Sequence, residues 1–173
     1  MNSLLLDADI VIDIHRLSIW EGFLKQNRVS LASTVLREEV FYYKDPTGRE
    51  IGIALKPAVQ EGLIQELSAT PHQIAMVKNQ IDSLRGPELD PGELESIAIL
   101  ANDSAKTLRF CAADRAAIIS VALLGLEERG MSLEAALGSC GMGRKLGESR
   151  HLEKRFRALI SDGKLLLVGN KKK

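Results

Sequence analysis

The stretch Leu4-Leu5-Leu6-Asp7-Ala8-Asp9-Ile10-Val11 decides the fold of this chain. A continuous run of three leucines is typical of a short strand that is buried on both faces of a parallel sheet. Strand-like runs recur at Val29–Ala32 and Leu108–Ala112, and a helical pattern follows each of them. Strands that alternate with helices predict an α/β fold, here a three-layer α/β/α sandwich around a mainly parallel, roughly five-stranded sheet.

The composition and net charge of the chain argue against some classes of protein. The chain has 173 residues, 45% of them hydrophobic and 27% charged, with a formal net charge of zero. This balance argues against a protein that grips nucleic acid by bulk charge, but it leaves room for an enzyme that handles nucleic acid in one groove. Two cysteines and three scattered histidines predict neither a disulfide framework nor a zinc site.

The remaining segments predict one domain in two parts. We expect residues 1–130 to form the core, and residues 131–173 to add a helical extension and a last strand at 164–168 to the same domain. A helix is predicted over 148–160, a loop over 44–52 and an edge strand over 63–67. Aspartates interrupt the N-terminal apolar stretch, which excludes a signal peptide or a membrane span there and predicts a cytoplasmic protein.

Four carboxylates follow the elements that the pattern buries. Asp7 ends the first strand, Glu39 lies on the helix after the second, Glu95 opens an apolar helix, and Asp114 ends the strand at 108–112. The carboxyl ends of parallel strands face one crevice, where ligands bind. Two carboxylates about 5 Å apart repel by roughly 3 kcal/mol at an effective dielectric constant near 20. If the four converge, divalent cations with oxygen ligands are the natural way to offset this repulsion.

Each acid also has a structural explanation when it is taken alone. Asp7 and Asp114 could cap the helices that follow them, and Glu39 could be an exposed helix residue. Glu95 lies in a first helical turn, where the helix dipole favours a carboxylate. The shared position at strand ends is what favours a common site over four separate structural roles.

These motifs, in this order, resemble those of the PIN-domain family. The segment 4–11 resembles the opening strand of the family, and Ser33-Thr34-Val35-Leu36-Arg37-Glu38-Glu39-Val40 resembles its second motif. Pro91-Gly92-Glu93-Leu94-Glu95-Ser96-Ile97-Ala98 resembles the Gly-Glu-x-Glu variant of the third motif, and Ala112-Ala113-Asp114-Arg115 resembles the fourth. The resemblance spans residues 3 to 125.

The resemblance implies a ribonuclease that depends on Mg²⁺ or Mn²⁺, with RNA as its substrate. Asp7, Glu39, Glu95 and Asp114 would be the catalytic, metal-binding residues, with Asp9 and Glu93 in support. The family also implies an antitoxin protein as a partner, within a toxin–antitoxin pair, and a homodimer. Trp20 and Phe23 could supply the dimer contact, although the core is the place that we favour for them.

Two other functions remain open from the sequence. A PIN-like binding module with little or no activity would use the same acids for structure or for a basic partner segment. The pair Asp7 and Asp9 also resembles the opening of haloacid-dehalogenase phosphatases, which form an aspartyl-phosphate, but Ile10-Val11 follows where that family has Gly-Thr.

Overall fold

A computed structural model describes residues 2–38 and 41–170 of the chain. Its seven described strands are β1 (Asn2–Leu6), β2 (Asn27–Ala32), β3 (Tyr42–Lys44), β4 (Glu50–Gly52), β5 (Ile64–Leu67), β6 (Leu108–Cys111) and β7 (Gly130–Met131). Its nine described helices are α1 (Ala8–Arg16), α2 (Trp20–Gln26), α3 (Ser33–Glu38), α4 (Lys56–Gln60), α5 (Pro71–Ser83), α6 (Pro91–Asn102), α7 (Arg115–Leu123), α8 (Leu133–Ser139) and α9 (Glu153–Asn170).

Five of the strands form one parallel sheet in the order β5-β2-β1-β6-β7. Leu4, Leu5 and Leu6 on the central strand are completely buried, as expected for a strand that helices cover on both faces. The predicted α/β sandwich with a five-stranded, mainly parallel sheet is therefore confirmed. The predicted edge strand near residues 63–67 is also confirmed, because β5 lies at one end of the sheet.

The connections between the strands determine where the candidate site lies. From β1 the chain moves to β2 and then β5 on one side, and β6 leads to β7 on the other side. Right-handed crossovers then place α1 and α7 on opposite faces of the sheet. The gap between them opens at the carboxyl ends of β1 and β6, which are neighbours.

The last strand predicted at residues 164–168 is wrong, because these residues continue α9. Helix α9 packs closely against α7 at Gly163. A Cβ at this position would lie 2.7 Å from the Cβ of Ala122 and 2.9 Å from the carbonyl oxygen of Ile119. The helix carries Leu165 and Val168 beyond that contact, with exposures of 69% and 55%. The sheet ends instead at β7, which is too short to leave a sequence pattern.

Two other segments differ from their predicted form. The loop predicted over residues 44–52 is part of an antiparallel hairpin, in which Tyr43 pairs with Ile51 across a turn held by Asp45. The helix predicted over 148–160 begins only at Glu153, after one 3-10 turn at Ser149–His151. In the part of the chain that the structure describes, no helix is both long enough and apolar enough to span a membrane.

The two aromatic side chains considered for a dimer contact have different environments. Phe23 is completely buried in the core. Trp20 is partly buried against the same core and stacks on the ring of His15, with ring centroids 4.3 Å apart. The predicted core position is thus confirmed for Phe23.

We expect Gly163→Ala to destabilise the chain by about 1–2 kcal/mol, because overpacking against α7 outweighs the better helix propensity of alanine. Gly169→Ala is the matched control on the same helix, since a Cβ there meets nothing within 4 Å among the described residues. The control should be neutral or slightly stabilising. Urea unfolding of both variants measures the difference, and equal stability of the two variants would contradict the packing described here.

Candidate metal centre

The site is built on the neighbouring ends of β1 and β6. The backbone N–H of Asp7 donates to the carbonyl oxygen of Cys111 over 3.1 Å, which extends the strand pairing by one residue. Helix α1 begins directly after Asp7, and helix α7 begins directly after Asp114. Helices α1 and α7 thus both begin at the same crevice, and each is preceded by an aspartate.

Both aspartates are N-caps. One carboxylate oxygen of Asp7 accepts the N–H of Ala8 over 3.0 Å, and one of Asp114 accepts the N–H of Ala116 over 2.6 Å. Asp7 is buried, with 6% of its surface exposed, whereas Asp114 is exposed. The structural role considered from the sequence is therefore real for both residues, and it coexists with their position in the crevice.

Glu93 is the third acid of the crevice. It lies in the first turn of α6, where it completes a capping box: its side chain accepts the N–H of Asp90 over 3.1 Å. Burial, followed by the negative charges of Asp90, Asp7 and Asp114, raises the pKa of Glu93 to about 8, against the lowering effect of the Asp90 N–H. The carboxylates of Asp7 and Asp114 thus act on Glu93 across the space between three separate elements.

Glu95 has a different environment. It is buried, and its two oxygens accept backbone N–H groups from Thr34 over 2.7 Å and from Ala69 over 3.1 Å. These amides follow β2 and β5, so Glu95 fastens α6 to the ends of two strands. Its role as a metal ligand stays a prediction, and Glu93 is the acid of this motif that the structure brings toward Asp7 and Asp114.

The structure describes one of the other two predicted site residues, Asp9, which has a separate ion-pair partner. Asp9 pairs with Arg150, with 2.8 Å between a carboxylate oxygen and Nη1. Glu39 lies outside the described residues, so its predicted place in the site stays a prediction. Arg37 and Arg115 are exposed, and they pair with Glu66 and Asp162, respectively.

Sequence reasoning missed one further acid near the crevice. Burial, followed by the charges of Asp7 and Glu153, raises the pKa of the Cys111 thiol. Glu153 opens α9 and accepts the hydroxyl of Ser132 over 2.7 Å, just beyond the end of β7. The sequence held no sign of this position, because the contact joins residues 21 apart through an edge strand of two residues.

Carboxylate oxygens are the kind of ligand that hard divalent cations prefer in proteins. Asp7, Glu93 and Asp114 offer carboxylate oxygens, and Mg²⁺ commonly binds to one or two protein carboxylates while it keeps several waters. The crowding that raises the pKa of Glu93 is the kind of repulsion that a cation relieves. Among residues 2–38 and 41–170, no group of three or more His, Cys, Asp or Glu side chains is arranged so that it could hold a metal ion, so a cation at this crevice stays a prediction.

A large cleft lies elsewhere in the described part of the chain. Its volume is about 830 Å³, and it runs between α3, the β3–β4 hairpin and α4. Aliphatic side chains such as Leu36, Ile53 and Val59 line it, and Arg37 and Lys56 contribute charge. Glu66 also lies in this lining, and its carboxylate pairs with Arg37.

Comparison with known proteins adds no relative: no protein-family model, no curated protein and no solved structure matches the chain.

The protonation of Glu93 predicts a distinct pH dependence of metal-free stability. The native chain keeps this proton up to about pH 8, whereas the unfolded chain releases it near the ordinary value of 4.5. Between these values the native state binds more protons, so the free energy of unfolding falls as pH rises. We expect wild type to lose roughly 1–3 kcal/mol relative to Glu93→Gln between about pH 5 and pH 8.

Urea unfolding in the presence of EDTA measures this difference. Glu88→Gln, at an exposed glutamate that precedes the same helix, is the matched control and should follow the pH profile of wild type. If the Glu93→Gln profile also followed that of wild type, Glu93 would not carry the raised pKa.

Proposed function

We propose that this chain is a metal-dependent ribonuclease that hydrolyses RNA phosphodiester bonds with Mg²⁺ or Mn²⁺. The single observation that carries the proposal is the coupling of Asp7, Glu93 and Asp114 at the crevice between β1 and β6, where the pKa of Glu93 rises to about 8. Buried carboxylates with perturbed pKa values in a crevice are a mark of functional sites. The ordered motifs noted in the sequence support the same class of enzyme.

In this proposal the acidic side chains of the crevice have different roles. Asp7 and Asp114 hold the ion, each with the carboxylate that also caps its helix. The bound cation supplies a water with a lowered pKa and positive charge for the phosphate oxygens. With a pKa of about 8, Glu93 is mostly protonated at neutral pH, and it would accept a proton from the attacking water only after a bound cation had displaced its own. Burial of Asp7 and Glu93 strengthens these electrostatic effects, because it keeps bulk water away.

The wider biological setting is part of the proposal. As the toxin of a toxin–antitoxin pair, the enzyme would act on RNA in the cytoplasm and would be held inactive by an antitoxin protein. A homodimer belongs to the same picture. The resemblance of the motifs supports these partners, and the geometry of the crevice bears only on the metal and the reaction.

Asp7→Asn should lower the rate of Mn²⁺-dependent cleavage of single-stranded RNA at least about hundredfold, because it removes a charged ligand. Asparagine is a good N-cap, so the stability of α1 should be preserved. Asp82→Asn, at an exposed aspartate on α5, is the control and should leave the rate unchanged. A fluorescently labelled oligonucleotide gives the rates. Undiminished cleavage by Asp7→Asn would refute the assignment, and phosphate labelling of Asp7 would indicate the phosphatase reaction instead.

A second candidate function is a binding module without catalysis. The observation in its favour is that Asp7, Asp114 and Glu95 all have structural hydrogen bonds that would explain their presence. Under that alternative no cation needs to bind to the crevice.

Thermal unfolding with and without Mn²⁺ separates the two functions. Binding to the native state stabilises it by RT ln(1 + [L]/Kd), or about 2.7 kcal/mol at a hundredfold excess over Kd. We expect a rise in the melting temperature with millimolar Mn²⁺ that is absent in Asp7→Asn and retained in Asp82→Asn. The absence of a shift in wild type would favour the binding module.

A further inference from the structure

The cleft between α3, the β3–β4 hairpin and α4 has the size and the lining of a small-molecule site. Its volume of about 830 Å³ lies within the range of roughly 300–1,000 Å³ that is usual for ligand pockets. Such pockets are mostly apolar and carry a few polar groups that orient the ligand. We call this cleft the hairpin cleft, and its apolar lining is formed by Leu36, Phe41, Ile53, Leu55 and Val59.

The apolar wall of the hairpin cleft is anchored in the core and is partly open to solvent. Phe41 and Leu55 are 7% and 6% exposed, and both belong to the main hydrophobic cluster of the chain. Leu36, Ile53 and Val59 are partly buried against the same cluster. The N–H of Ile53 donates to the carbonyl oxygen of Phe41 over 2.8 Å, which ties the residue after β4 to the residue before β3. The wall is therefore formed before any ligand arrives, and this lowers the cost of binding.

The charges that line the hairpin cleft do not balance. The carboxylate of Glu66 accepts the hydroxyl of Ser33 over 2.7 Å and lies 2.8 Å from Nη2 of Arg37. These two contacts hold the pKa of Glu66 below its ordinary value, so Glu66 stays ionised and offsets the charge of Arg37. Lys56 is exposed, and no carboxylate among the described side chains pairs with it. Among the described lining residues, one positive charge is thus in excess beside an apolar wall.

We propose that the hairpin cleft binds a small amphipathic anion, in which an aliphatic body carries a single carboxylate. The body lies against Leu36, Ile53 and Val59, because removal of its methylene groups from water is favourable. The carboxylate stays at the open rim beside Lys56, whose ammonium group offers three rotatable donors. A neutral aliphatic molecule lacks the second interaction, and a compact anion lacks the first. This inference does not depend on the proposed metal-dependent activity.

The length of the aliphatic body tests the apolar part of the inference. Decanoate has two methylene groups more than octanoate, so its Kd should be about fourfold to fifteenfold lower. Acetate should not bind at the same concentrations. Titration of the full chain below the micelle concentration, followed by the amide signals in ¹H–¹⁵N NMR spectra, gives the constants and the location. Equal Kd values for octanoate and decanoate would overturn the apolar part of the inference.

The excess charge is tested with a neutral molecule of the same length. Lys56→Gln should raise the Kd of octanoate about threefold to tenfold and leave the Kd of octan-1-ol within about twofold of wild type. Lys56→Arg keeps the charge and should keep the Kd of octanoate within about threefold. Lys25→Gln, at an exposed lysine on α2, is the matched control and should bind both compounds like wild type.

The same spectra separate a site from unspecific contact with exposed apolar side chains. We expect the shifted amide signals to be those of α3, the hairpin and residues 53–59. Shifts centred on the exposed Leu165 and Val168 of α9 would instead overturn the inference. An equal rise in the Kd of octanoate and octan-1-ol for Lys56→Gln would show that its charge does not select an anion. No shift with any of these compounds would overturn the inference and favour an apolar segment of another protein as the occupant.

Discussion

The rest of the structure depends on the parallel pairing of β1 with β6. These strands are separated by about a hundred residues in the chain, yet Leu6 lies opposite Cys111, and the N–H of Asp7 continues the ladder onto the Cys111 carbonyl. The pairing brings the ends of both strands to one level, and the helices that follow begin side by side. The alignment sets the positions of Asp7, the first residue after β1, and Asp114, the third residue after β6.

The alignment brings acidic side chains close together, where their negative charges repel one another. The chain as a whole is neutral, so the cluster at the crevice is a local excess and not a property of the surface. The excess is tolerated because Glu93 keeps its proton near neutral pH, and because helix N-termini donate N–H groups to Asp7 and Asp114. A cation would replace the proton, which links metal affinity to pH.

The sequence-based predictions were correct where a local pattern determines the structure, and they were wrong where contacts between distant residues determine it. The strand at Leu4–Leu6 could be recognised because burial on both faces requires an unbroken apolar run. Residues 164–168 were misassigned because their helical state depends on the contact of Gly163 with α7, which no local pattern records.

The choice between Glu93 and Glu95 as the site residue also depends on distant contacts. Two positions along a helix differ by about 200° around its axis, and only the positions of Thr34 and Ala69 show which side faces the strand ends. The contacts of Asp13 with Arg150 and His151 join residues more than a hundred positions apart, so no spacing could have indicated them.

The double use of Asp7 and Asp114 has a consequence for how such a chain would evolve. Each carboxylate starts a helix as well as facing the crevice, so a descendant that no longer needed the chemistry would still lose folding free energy on replacing either of them with an apolar residue. Purifying selection on stability alone would then preserve both aspartates. Retention of this pair in distant descendants would therefore report an intact scaffold, while Glu93, whose buried charge opposes folding, would be the position that drifts first once activity is lost.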